Sequence, residues 1–93
     1  MLVARMFIEL RLHDSSSLKE KRQVLRSVKD RLRQRFNVAL AEVGAQDEWR
    51  NVELGIVSVA GERRELDKTV EKLTHFLDGD GRFDIVHREV EIS

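Results

Sequence analysis

The sequence predicts a single α+β domain over residues 1–93, built as two fused β-α-β units. Three observations predict it. Residues 2–12 alternate apolar and polar side chains without a break, the period of a half-buried strand. Residues 17–36 and 62–77 instead repeat apolar side chains every three or four positions, the period of a helix with one buried stripe. Short apolar runs rich in β-branched residues fill the intervals between and after these helices. A chain of this length buries roughly 60–65% of the surface it exposes when unfolded, enough for one compact core.

In the first strand Leu2, Ala4, Met6, Ile8, Leu10 and Leu12 share one face, with Val3, Arg5, Phe7, Glu9 and Arg11 on the other. His13-Asp14-Ser15-Ser16-Ser17 breaks the alternation. Ser17 and Glu20 then stand at the S-x-x-E spacing of a capping box, which satisfies two backbone donors at a helix start. Leu18, Leu25, Val28, Leu32 and Phe36 form the apolar stripe of that helix. Asn37 ends it, and residues 38–43 read as the second strand. Residues 44–50 connect to a third strand, 52–60. Gly61 opens the second helix, whose Leu66, Thr69, Val70, Leu73, Phe76 and Leu77 share a face. Asp78-Gly79-Asp80-Gly81 stops it, because glycine tolerates the left-handed geometry of a helix end. Residues 83–92 are the last strand. The order β-α-β-β-α-β is that of a ferredoxin-like plait. Right-handed crossovers then put both helices on one face of a four-stranded antiparallel sheet, with the first and third strands central.

Charge is distributed unevenly along this formally neutral chain. Residues 17–36 carry eight Lys or Arg against Glu20 and Asp30, a local charge of +6, while residues 37–93 carry seven basic and thirteen acidic side chains. On a helical wheel Lys19, Arg22, Arg26, Lys29 and Arg33 follow spacings of 3, 4, 3 and 4, so they line one ridge beside the apolar stripe. Asp30, Gln23, Gln34 and Ser27 are expected on the back of the helix, leaving the ridge without a carboxylate. Lys19, Lys21 and Arg22 lie in the first turn, against the helix dipole, where a free N-terminus with basic side chains favours anions. Such a ridge suits phosphate, most naturally RNA; it equally suits a solvated flank whose long stems cover the core edge. Lys21 falls within the apolar arc, where it either snorkels past the sheet edge or pairs with a specific carboxylate.

Two aromatics are further candidates. Trp49, the only tryptophan, is either an interaction hot spot or a plug for the end of the core with its N–H bonded to backbone. Phe7, on the uncovered sheet face with Val3 and Val57, suits dimerisation. Stacking of bases on that face is disfavoured, since the third strand contains no aromatic residue. His13, His75 and His87 lie on different elements, and no catalytic triad, metal-spaced cluster or glycine-rich phosphate loop is present. No enzyme activity, cofactor or metal is therefore expected. Cysteine is absent, no apolar run approaches the roughly 20 residues that cross a bilayer, and the N-terminus lacks a basic leader. A cytoplasmic protein without membrane attachment is expected.

Ser17-Leu18-Lys19-Glu20-Lys21-Arg22 followed by Val24-Leu25, then Arg35-Phe36-Asn37-Val38, Ala41-Glu42-Val43, Gln46-Asp47, Trp49 and Leu54-Gly55, resembles the YlxP-like family of small bacterial proteins. The resemblance runs through essentially the whole chain. It implies the same plait, a cytoplasmic location and genes that neighbour translation and ribosome-maturation factors, and it implies no activity or catalytic residue. Gly44-Ala45 stands where relatives carry an acidic or polar residue. The expected function is a non-catalytic RNA- or ribosome-associated protein, with Lys19, Lys21, Arg22, Arg26, Lys29 and Arg33 on phosphates. The alternative is a homodimeric protein-interaction module using the sheet face around Phe7, or the Trp49 loop.

Overall fold

The computed structural model describes residues 1–93 and contains β1 (Leu2–Leu12), α1 (Leu18–Arg35), β2 (Ala39–Gly44), β3 (Asn51–Ala60), α2 (Arg63–Asp78) and β4 (Phe83–Ile92). The sheet order is β2-β3-β1-β4 with every neighbouring pair antiparallel, so the two central strands are β1 and β3. Element order and strand order together make this a ferredoxin-like α+β plait. The second strand lies one residue later than its apolar run suggests, because Val38 is used to turn the chain out of α1, its N–H bonding the Phe36 carbonyl at 3.0 Å.

The inward rows of the sheet meet the apolar stripes of the helices. Ala4, Met6, Ile8, Leu10 and Leu12 of β1 and Val52, Leu54 and Ile56 of β3 are buried against Leu25, Val28 and Leu32 of α1 and Leu66, Val70, Leu73 and Leu77 of α2. Each large side chain covered this way contributes about 1.5–3 kcal/mol. Ser58 continues the inward row of β3, and its buried hydroxyl donates to the Asn37 carbonyl at 2.7 Å, fastening the link between α1 and β2.

The α1 start differs from a simple capping box. The Glu20 N–H does bond Ser17 Oγ at 3.1 Å, but the Glu20 carboxylate reaches one residue further back and accepts from the Ser16 N–H at 2.7 Å. That bond, with a second from the Ser16 hydroxyl, holds Glu20 below the usual carboxylate range. Between β1 and β4 the register slips at Glu9/Leu10, leaving Val86 as the extra residue of a bulge. The uncovered sheet face carries Val3, Arg5, Phe7, Glu9 and Arg11 along β1, opposite Val59, Val57, Gly55, Glu53 and Asn51 of β3.

Candidate nucleic-acid interface

The capped start and long apolar stripe of α1 hold it over the sheet with its cationic flank outward, on the side of β2. Arg22, Arg26, Lys29 and Arg33 line a groove of about 260 Å³ together with Leu25, Asp30 and Glu42. Lys19 continues the ridge one turn toward the N-terminus; the five cations span fifteen residues, about 21 Å of helix from the first Cα to the last. The ion pairs of the molecule are His13–Asp84, Lys21–Glu42, Arg82–Asp80, His87–Glu89 and Arg88–Glu71, so none of the five ridge cations is engaged.

Two expectations require correction. Lys21 is not a surface cation: it is 2% exposed, and its Nζ donates to the Ala45 carbonyl at 2.6 Å. The same Nζ lies 3.1 Å from Glu42 Oε2, which is buried and accepts no well-directed hydrogen bond, so attraction between the charges holds that contact. A helix position inside the apolar arc forces the choice, and the ammonium is satisfied by the start of the 45–50 loop. Lys21 therefore leaves the set of residues available to phosphate. Asp30, for its part, does not sit behind the ridge. It borders the same groove as Arg26 and Arg33, which are four residues before it and three after it on one helical face, without forming an ion pair.

The remaining cations of the helix are directed elsewhere. The Arg35 guanidinium lies 4.7 Å from the centre of the Phe76 ring, and Phe36 meets Phe76 edge-on at 6.1 Å. With Glu71, Lys72 and His75 these residues border an open hollow of about 670 Å³ between the helices. It is a different surface from the ridge.

Trp49 is 55% exposed and its indole makes no hydrogen bond, so it does not plug the core. Its loop is nonetheless pinned: Arg50 Nε donates to the Ser15 carbonyl at 3.1 Å, Asn51 bonds Glu48, and Ala45 takes a left-handed conformation with φ 56°. Phe7 is half-buried at the middle of β1 opposite Gly55, with its ring 6.1 Å from that of His87. Trp49 precedes the start of β3, so the two aromatics do not form one patch. The patch around Phe7 is larger than its sequence neighbours indicate. Val43, Val57 and Val59 are 56%, 40% and 48% exposed on the same face, beside Ala39 and Ala41. Cross-strand register, which brings β2 alongside β3, was the missing signal.

His13 lies 3.0 Å from Asp84 and His87 2.8 Å from Glu89, each at the surface. No group of three or more metal-ligating side chains converges. No helix is long and apolar enough to cross a membrane.

Among known proteins, the family model described as protein of unknown function (DUF503) matches residues 3–90. The uncharacterized protein YlxP of Bacillus subtilis (strain 168) is 37% identical over 67 residues, which make up 72% of this chain and 73% of that protein. The solution structure of a de novo designed protein with ferredoxin fold aligns over 100% of this chain and 84% of its own, with 15% identity and a TM-score of 0.44. The chain that carries the S-L-K-E-K-R helix start thus belongs to the DUF503 family of proteins of unknown function.

Proposed function

We propose that the protein is a non-catalytic RNA- or ribosome-associated protein that engages phosphates through α1. The observation that carries this reading is the ridge of Lys19, Arg22, Arg26, Lys29 and Arg33 left without any carboxylate partner inside the molecule. Like charges at these spacings cost a few tenths of a kcal/mol per pair, a cost that phosphate contact reverses. With about three to five phosphates contacted, log K for a structured RNA falls against log salt with a slope of roughly −2 to −4. Anisotropy titrations at several salt concentrations measure this slope, and Arg26→Glu with Lys29→Glu weakens binding while circular dichroism stays unchanged. A salt-independent affinity, or none at low salt, would overturn the proposal.

A second reading is favoured by the apolar patch of Val43, Val57 and Val59 around Phe7, which suits a homodimer packed through its sheet faces. Light scattering separates the two: a dimer dispersed by Phe7→Glu, with no affinity for RNA, supports the second.

A further inference from the structure

The two free edges of the sheet are protected very differently. An edge strand exposes unpaired N–H and C=O groups and invites another strand to pair. Along β4 that invitation is countered by exposed His87, Arg88, Glu89 and Glu91 and by the bulge at Val86. Along β2 it is not. Its outward side chains are Ala39, Ala41 and Val43, and its one charged residue, Glu42, turns inward and is neutralised by Lys21. On its helix side the charges that border this edge belong to α1: Arg22, Arg26, Lys29 and Arg33 share the groove with Glu42, opposed by Asp30 alone, while on the open side Glu53 lies against Gly44 and Arg5 lines the hollow beside the strand.

These surroundings specify what the edge accepts. A strand laid beside β2 alternates its side chains between two environments. On the helix side they enter the groove beneath four cations. On the open side they extend the row of Ala39, Ala41 and Val43 and border an apolar hollow of about 440 Å³ that includes Gly55 and Val57. A second copy of β2 is a poor fit, because pairing two such edges brings two cationic ridges together. We infer that the β2 edge docks an extended segment of a partner protein in which carboxylate and apolar residues alternate. Its main chain extends the sheet and its carboxylates lie under Arg22, Arg26, Lys29 and Arg33. This inference goes beyond RNA binding and does not rest on it; sharing the ridge, an RNA and such a segment exclude one another.

The test uses the full chain and two acetylated, amidated octapeptides of one composition, (Glu-Val)₄ and Glu₄Val₄, at low salt. The alternating peptide is expected to bind at least about tenfold more tightly than its block isomer and to slow amide exchange across residues 39–44. Arg26→Glu with Lys29→Glu removes that binding, and the alternating peptide displaces any bound RNA. Equal affinity for the two isomers without protection of β2 overturns the inference, reducing the ridge to a general anion binder and leaving RNA binding untouched. Failure of both peptides to bind also overturns it, as does protection of β2 in a peptide-free dimer, which assigns the edge to a second copy.

Discussion

Lys21 illustrates how a single side chain changes meaning between sequence and structure. It belongs to the most basic segment of the chain, yet its position on the wheel commits it to the interior. Taking an ammonium out of water costs several kcal/mol, recovered here through the Ala45 carbonyl and the Glu42 carboxylate, the latter 18% exposed. Removing one partner strands the other. Lys21→Ala is expected to destabilise the fold by about 2–4 kcal/mol, whereas Lys21→Met combined with Glu42→Leu stays within about 1 kcal/mol of the native chain. Urea unfolding of the singles and the double checks this; additive losses would show that the two charges do not act together. The apolar-arc placement of Lys21 was visible on the wheel, but its partner, twenty-one residues away on β2, depends on how the strand lands beside the helix. Asp30 differs: its spacing of four from Arg26 and three from Arg33 already set it beside the ridge on the wheel.

At the scale of elements, those with a strong internal period emerged from the sequence nearly intact. Alternation in β1 and the stripe of α2 are repeated many times, so errors average out: the ends of β1 are those expected, and those of α2 differ by one residue. The bulge at Val86 had no such signal, since it exists only relative to the register of β1. The turn between α2 and β4 is held by local chemistry instead. Arg82 donates through Nε and Nη2 to the two oxygens of Asp80 at 2.6 and 2.7 Å, across Gly81 with φ 87°. This bidentate grip holds the Asp80 carboxyl below its ordinary value and raises Arg82. A carboxyl whose folded pKa is depressed adds stability above its unfolded pKa, near 3.8 for Asp80, and that stability is lost as pH falls through the folded value. Denaturant unfolding from pH 6 downward is therefore expected to show stability declining below about pH 4, with Glu20 contributing in the same direction. Asp80→Asn should lower stability by about 1–2 kcal/mol at pH 7 and flatten that acid decline.

Across the whole molecule, a net charge of zero conceals an unbalanced surface. The cations of α1 crowd beside β2, while Glu9, Glu53, Glu89 and Glu91 lie along the opposite sheet face and its β4 border. Self-repulsion within the ridge is long-ranged and screened by salt, whose Debye length is about 10 Å at 0.1 M. Raising sodium chloride from about 0.02 to about 0.3 M should stabilise the free protein by about 0.5 kcal/mol, read as a rise in the urea midpoint. Charge reversal at Arg26 should shrink that rise, and an unchanged response would mean the ridge is not under electrostatic strain. The segregation itself was countable from composition by segment; which cations remained unengaged required the packing of α1 against β2.

The placement of Trp49 has a consequence for optics. With no tyrosine and one tryptophan, near-ultraviolet emission from this chain comes essentially from a single indole. Because that ring already stands half in solvent on the 45–50 loop, melting the core alters its colour little. A blue shift in the folded protein thus signals something newly laid over the loop, which makes the native fluorophore a built-in sensor of encounters at that end of the sheet.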